Sequence, residues 1–387
     1  MTERATRDNK DGRNRAGLLT GASPLLLAGA LLFSACSGNT NSSGPAAPLP
    51  TGQTGSISAL SNNTGNCYLS DPGTSSCATA VYKGTYSVTA LATLSSAGTN
   101  TLYYGDSHGN VASSSVTSST PPATTASCLS GSGAGSILAL AAGGSTLVYA
   151  TSGGIKTLTS ACGAGSTLST TLTNVSGLAY NASAGLFVGV TSNASYFTCS
   201  STSCTSPQTL PNLQDTSPNI TAVASDPTQS IVYILSIGSS TNRIYSYYLS
   251  GGTLTYLGNY SGNELNYPSG IALFQGNNPT QNYCTSGSCT FMDVTNTGNA
   301  TVTQYVLTYS GSGAQTSVSI NQFNNAYFNC DLINSAAVAA FPTPTNGLLP
   351  KPDLFLGEQG TSYGSCMGTS STASYGNNVT AYTITGE

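Results

Sequence analysis

The chain has 387 residues, only 6% of them charged, with 9 Lys and Arg against 13 Asp and Glu, a single histidine and no tryptophan. Beyond position 35 the only cations are Lys83, Lys156, Arg243 and Lys351. So sparse a positive charge excludes a nucleic-acid partner, whose affinity comes chiefly from neutralised phosphates, and it excludes electrostatic docking on an anionic membrane.

In chain order, residues 1–35 carry Arg4, Arg7, Lys10, Arg13 and Arg15, then an uncharged, mostly apolar stretch from Ala16 to Ala35. A basic head, an apolar middle and small residues before a cut are the layout of a secretory signal. The stretch is also long enough to span a bilayer, but Pro24, three glycines and the abrupt Cys36 favour cleavage. Phe33-Ser34-Ala35-Cys36 resembles a bacterial lipobox, with Phe33 in place of the more usual leucine. The resemblance implies that Cys36 becomes the lipidated first residue of the mature protein. Ser37 after it, rather than Asp, implies sorting to the outer membrane. The expected layout is therefore a lipoprotein signal peptide over 1–35, a lipidated Cys36 with a disordered tether over 36–53, and a folded domain over 54–387. The expected location is the bacterial cell envelope, with membrane contact through the lipid, to which each buried methylene contributes about 0.8 kcal/mol. The tether is rich in Ser, Gly, Asn and Pro and has a root-mean-square span of roughly 20–25 Å.

From residue 55 a short, small-and-apolar segment recurs: "GSISAL" from Gly55, "YSVTAL" from Tyr86, "GSILAL" from Gly135, "VSGLAY" from Val175, "ITAVAS" from Ile220, "PSGIAL" from Pro268 and "SAAVAA" from Ser335. Most are followed by a polar turn and a stronger β-branched or aromatic strand, such as "TLYYGD", "TLVYAT", "GLFVGV" and "SIVYIL". Short apolar runs broken by Gly, Asn, Asp and Ser are strand signals. Recurrence at mostly 40–50 residues predicts an all-β fold, a β-propeller, in which ring closure protects the sheet edges. A β-sandwich array would explain the strands but not the repeated strand–turn–strand order. Seven blades are expected, with six the alternative, because the first segment stands only about 31 residues before the second, short for a blade. Either the first blade is truncated and completed by "NNVTAYTIT" near the C-terminus, or the count is six. The layout "SGIAL…TFMDVTNTGNATVTQYVL" resembles NHL and YVTN-type propeller repeats, including those of lactonase-like proteins.

Ten cysteines follow Cys36, and an even number in an exported chain points to disulfides. Sequential pairing gives Cys67 with Cys77, Cys128 with Cys162, Cys199 with Cys204, Cys284 with Cys289, and Cys330 with Cys366. The rival is a zinc site built from "CSSTSC" and "CTSGSC", whose spacing is permitted.

Catalytic signals are few. A sialidase site needs an arginine cluster for its substrate's carboxylate, and only Arg243 is present beyond the signal. Absent tryptophan removes WD dipeptides, tryptophan-ended aspartate boxes and quinoprotein docking motifs. The resemblance to lactonase-like propellers implies calcium or another divalent ion, which wants six to eight oxygens. Asp106, His108 and Asn110 in "GDSHGN", and Asp293, Asn296 and Asn299 in "MDVTNTGN", are the candidate ligands. The same residues are what hairpin turns require, and that reading is preferred. Ser362 in "GTSYG" matches a nucleophile-elbow pattern but lacks the following helix, and Asp226 in "SDPTQS" reads as a turn former. The 22 tyrosines either pack between blades or form an interface; Tyr256 and Tyr260, expected beyond a strand beside Gly258 and Asn259, are the candidate binding residues. The expected function is a lipid-anchored, cofactor-free propeller that binds or scaffolds an envelope protein or glycan. The alternative is a metal-dependent lactonase-like hydrolase.

Overall fold

Six of the seven recurring segments become the innermost strands of a ring of antiparallel sheets. The structure is a computed structural model that describes residues 56–59, 82–83, 86–96, 99–116, 125–131, 135–215, 217–277, 288–299, 301–327, 337–340, 354–357, 361–362, 374–375 and 378–385. The signal segment, Cys36, the tether, and Cys67, Cys77, Cys284, Cys330 and Cys366 lie outside those residues.

Strands β1 (Ser56–Ala59) and β2 (Tyr82–Lys83) precede five consecutive four-stranded blades. Blade one comprises β3 (Val88–Ser96), β4 (Thr99–Asp106), β5 (Val111–Val116) and β6 (Thr125–Leu129). Blade two is β7 (Ala139–Gly143), β8 (Thr146–Thr151), β9 (Gly154–Thr159) and β10 (Thr167–Ser169). Blade three is β11 (Val175–Asn181), β12 (Leu186–Thr191), β13 (Ser195–Cys199) and β14 (Gln208–Thr209). Blade four is β15 (Asn219–Ser225), β16 (Ile231–Ile237), β17 (Asn242–Ser250) and β18 (Thr253–Tyr260). Blade five is β19 (Pro268–Asn277), β20 (Ser288–Asn296), β21 (Thr301–Ser310) and β22 (Ser317–Tyr327). Then follow β23 (Ala337–Ala339), β24 (Leu354–Gly357), the short hairpin β25 (Thr361–Ser362) with β26 (Ser374–Tyr375), and β27 (Asn378–Thr385). Among the described residues the only helical element is a 3-10 turn at Gly313–Gln315.

The expected seven blades, and the alternative six, are corrected to five contiguous blades, with the ring closed by a composite sheet. That sheet runs β23–β24–β27–β1, with β2 also paired to β27. Its inner strand β23 lies between β19 of blade five and β3 of blade one. The first segment, "GSISAL", is therefore not an inner strand: Ser56–Ala59 pairs antiparallel with Tyr382–Thr385 on the outside of this sheet. Joining strands from opposite ends of the chain in one sheet is what removes the open seam a linear array would leave.

The recurring pattern of one aliphatic residue between two small ones has a packing cause. Leu140 of β7 shares a core cluster with Ala90 and Ala92 of β3, and Leu178 of β11 with Ala139 and Ala141 of β7. Ile271 of β19 meets Ala222 and Ala224 of β15, while Leu91 of β3 meets Ala337 and Ala339 of β23. Val223 packs with Ala179, and a Cβ on Gly177 would stand 2.8 Å from the Val223 amide nitrogen. Each blade thus presses an aliphatic knob into a socket of small residues on the blade before it. Larger residues there would overpack the convergence of strands at the axis.

A second repeated device sits where the inner strands begin. The register slips at Thr89, Ser176, Thr221 and Ser269, one β-bulge in each of four blades. A bulge sharpens local twist and re-aims the side chain. Thr89 Oγ1 donates to the Ile137 carbonyl at 2.5 Å, and Thr221 Oγ1 donates to the Pro268 carbonyl at 2.8 Å. Each hydroxyl braces its own blade against the start of the next inner strand.

Candidate functional site

The inner strands β3, β7, β11, β15, β19 and β23 surround an axial cavity of about 400 Å³. Its wall runs from Thr89, Ser176 and Thr221, where the strands begin, to Gly144, Ala182 and Asp226, just past where they end. Among the described lining residues Asp226 is the only carboxylate, and no Lys, Arg or His stands beside it. It follows β15 and is almost wholly buried. Its Oδ1 accepts the amides of Thr228 and Gln229, both at 2.8 Å, and the Thr228 hydroxyl at 3.0 Å. Its Oδ2 accepts the Tyr309 hydroxyl of blade five, which in turn accepts the Tyr233 hydroxyl at 3.2 Å. The sequence reading of Asp226 as a turn former holds, and the turn also ties blade four to blade five.

Burial pushes the Asp226 carboxyl above its ordinary value of 3.8, against the opposing pull of its hydrogen bonds. Burial likewise drives the Tyr233 and Tyr309 hydroxyls well above the usual tyrosine range. Because the folded carboxyl holds its proton more tightly than the unfolded one, its contribution to stability is greatest below the unfolded value. That contribution falls as pH rises through the window above 3.8. The native chain should therefore lose stability relative to Asp226→Asn as pH is raised from the carboxylate range toward neutrality. Urea denaturation of both proteins across that range checks it; a widening advantage for the native chain would mean that the four donors outweigh burial.

The candidate metal ligands are placed as turn builders, with one exception. Asp106 Oδ1 accepts the His108 and Asn110 amides, both at 2.9 Å, and Oδ2 accepts the Asn110 side-chain amide at 2.7 Å. Asn110 Oδ1 accepts the Gly131 amide at 2.8 Å. A Cβ on Gly131 would lie 2.2 Å from the His108 carbonyl oxygen, so only glycine allows this close approach. Asn296 Oδ1 accepts the Asn266 amide at 3.0 Å, its side-chain amide reaches the Thr303 hydroxyl at 3.1 Å, and Asn299 Oδ1 accepts the Thr301 hydroxyl at 2.9 Å. Asp293 departs from the turn reading: it is fully buried within β20, opposite Ala272 and Gln304, and Oδ1 accepts the Gln304 side-chain amide at 3.0 Å. Among the described residues no three His, Cys, Asp or Glu side chains gather as a metal site. His108 is exposed and stacks on Tyr86, centroids 4.2 Å apart and rings within 8° of parallel. Ser362 closes β25 and pairs with Ser374.

Two of the expected disulfides are formed, Cys128–Cys162 and Cys199–Cys204. Cys289 is also disulfide-bonded, and its expected partner Cys284 lies outside the described residues. The zinc alternative is overturned for "CSSTSC", whose two sulfurs are joined to each other. Cys128–Cys162 links β6 of blade one to the turn after β9 of blade two, whereas Cys199–Cys204 staples the end of β13 to the segment leading into β14.

Tyr256 and Tyr260 lie inside β18, the outermost strand of blade four, and not beyond a strand as expected. Tyr256 is half-buried against Tyr245 and Tyr247, and its hydroxyl accepts from the Asn259 side chain at 2.6 Å. Tyr260 packs edge-on against Tyr305, and both donate to Glu264 Oε1, at 2.6 and 2.9 Å. Burial and the neighbouring Glu264 hold the Tyr260 hydroxyl above its usual range. Arg243 pairs with Asp215 at 3.6 Å and donates to Asn259 at 2.9 Å, and Asp215 also accepts the Tyr245 hydroxyl at 3.2 Å. Among the described residues most tyrosines thus fill spaces between blades, and hydroxyls such as those of Tyr103, Tyr245, Tyr247, Tyr305 and Tyr309 are tied to acids and carbonyls, as buried tyrosines require.

The exposed aromatic rings are others. Among the described residues the large exposed hydrophobics are Tyr86, 38% accessible, and Tyr267, 60% accessible. Each stands just before an inner strand, Tyr86 before β3 and Tyr267 before β19. "YSVTAL" was read as strand from its first residue, which concealed Tyr86. Its position at the entry to a repeated segment was the available signal.

In up-and-down blades the start of the first strand, the turn between second and third strands, and the link to the next blade share one face. That face carries Tyr86, His108 and Tyr267. Among the described residues it also carries four of the five non-glycine residues with left-handed backbone: Asn174, Ala194, Asn212 and Tyr267, at φ 57°, 64°, 57° and 51°. Asparagine adopts this region readily, but alanine and tyrosine do so at a cost.

No protein-family model matches the chain, and no curated protein matches it. Solved structures similar in shape include a chain from a nidogen/laminin complex, at 12% identity and TM-score 0.45, covering 74% of this chain and 98% of that one. The RRP9 WD40 repeats give 12% identity and TM-score 0.43, covering 79% and 96%. An auxiliary nutrient binding protein from Bacteroides thetaiotaomicron gives 12% identity and TM-score 0.46, covering 74% and 66%. At such divergence nothing about the ligands of those proteins extends to this one.

Proposed function

We propose that the chain is a binding module of the bacterial envelope, held at the membrane by lipid on Cys36, and that it engages an envelope protein or glycan through the face on which its inner strands begin. One observation carries the reading: the exposed rings Tyr86 and Tyr267 share that face with the strained left-handed backbone of Ala194 and of Tyr267 itself. Strain of this kind costs on the order of 1–3 kcal/mol per residue and persists where the surroundings enforce it, most often at functional sites. Tyr267 combines both features. Its carbonyl is pinned by the Thr297 amide at 3.2 Å and the Thr297 hydroxyl at 3.0 Å, and its ring stands exposed. Rigid, amphipathic rings of this kind supply contact area at low entropic cost, and on so weakly charged a surface they are the natural anchors. No observation favours the divalent-ion hydrolase over this reading, because the side-chain oxygens of Asp106, Asn110, Asn296 and Asn299 already accept hydrogen bonds from the protein itself.

The test compares capture from envelope extracts by the native protein and by a Tyr86→Ala/Tyr267→Ala variant. A protein or glycan retained by the first and lost by the second is expected. Identical capture by both would remove the face from the reading. Separately, Cys36→Ala should move the chain from the membrane fraction to the soluble one; unchanged fractionation would remove the lipid.

A further inference from the structure

We propose that the axial cavity is a second, separate binding site, taking one uncharged, largely apolar small molecule that carries one or two hydrogen-bonding groups. Its volume of about 400 Å³ falls within the roughly 300–1,000 Å³ of small-ligand pockets. The knob-and-socket packing accounts for the small residues at the axis, but not for a void of this size.

The wall determines the chemistry. It is built largely from Ala, Gly and the aliphatic residues at the centres of the inner strands. Among the described lining residues there is no cation, and the one carboxylate, Asp226, is already held by four donors. An anion would find no counter-charge, and a cation would have to compete with those donors, so a charged ligand would lose its hydration without compensation. Hydrogen-bonding capacity is nevertheless present. Ser176 Oγ, near the strand beginnings, and Ser225 Oγ, near the strand ends, are buried in this wall with no hydrogen-bond partner in the protein. Buried hydroxyls left in that state are unfavourable, and two of them lining one cavity mark where a ligand's polar groups belong. The inner strands add to this, since each is the last strand of its sheet and leaves one backbone edge unpaired.

The experiment titrates the full chain with N-phenyl-1-naphthylamine, which is uncharged, and with its anionic relative 8-anilinonaphthalene-1-sulfonate. The uncharged dye should give a saturable fluorescence rise with one site per chain, and the anion should not. Ser176→Leu and Ser225→Leu should each weaken the uncharged dye by about tenfold or more, because leucine occupies the space that the dye needs. Tyr86→Ala/Tyr267→Ala should leave dye binding unchanged, which separates this site from the face described above. Absence of saturation, equal binding of the anion, or full retention in both leucine variants overturns the proposal. If a leucine variant gives no cooperative melt, crystals of the native chain soaked in 4-iodophenol decide the matter. An anomalous iodine peak on the axis upholds the site, and iodine found only elsewhere overturns it.

Discussion

Replacing the Cys128–Cys162 pair by two alanines is expected to destabilise the chain by about 4 kcal/mol, whereas the same change at Cys199 and Cys204 costs about 2 kcal/mol. The difference follows from the chain closed by each bond. The first spans a sequence separation of 34 residues and the second only 5, and a longer loop removes more freedom from the unfolded chain. Position sharpens the contrast. The long bridge joins neighbouring blades, while the short one reinforces a bridge that Cys199 and Cys204 already make through their backbones. Guanidinium denaturation of the two double variants measures both losses. Equal losses would show that loop closure is not the governing term.

Leu178→Ala should lower the unfolding free energy by about 3 kcal/mol, within the range of roughly 2–5 kcal/mol for emptying a packed leucine site. Leu178 is buried against Ala139 and Ala141 of the preceding blade and lies beside Phe187 and Phe197. The cavity left behind sits between two sheets fixed by their own ladders, so it cannot readily collapse. Ala141→Leu alone should also destabilise, by about 1–3 kcal/mol, through overpacking. Combining the two moves the knob to the opposite wall of the same interface. The pair should therefore be less damaging than the sum of its parts by about 1 kcal/mol, since residues in contact do not add independently. Strict additivity in a double-mutant cycle would show that Leu178 and Ala141 do not share a packing site.

The inner strands of all five blades and of the closing sheet stand where the small-apolar segments predicted, because the knob-and-socket contact imposes the same small–aliphatic–small order each time. "TLYYGD", "TLVYAT", "GLFVGV" and "SIVYIL" lie in β4, β8, β12 and β16, next outward from the axis. The blade number was not legible, because the fate of "GSISAL" depends on pairing with a strand more than three hundred residues away, and no local pattern encodes that. Asp293 was misplaced for a related reason. "MDVTNTGN" has turn composition, but its aspartate lies inside the strand, and the compensating partner Gln304 is across the sheet. The tyrosines could not be sorted by alternation because a blade is covered on both faces. Along β17, Ile244, Tyr245, Ser246 and Tyr247 are all buried, so the usual inside–outside period disappears. At the site, Tyr86 and Tyr267 emerge only once the strands assign them to one face.

The closed ring depends on the two ends of the body meeting in one sheet. Ser58 faces Thr383 across β1 and β27, so a Ser58→Cys/Thr383→Cys variant should form an intramolecular cross-link under mild oxidation. Peptide mass spectrometry of the unreduced digest would identify it. Finding the 58–383 link within a monomer is the predicted result. Two free thiols at those positions, or a link formed only between chains, would contradict the closed ring.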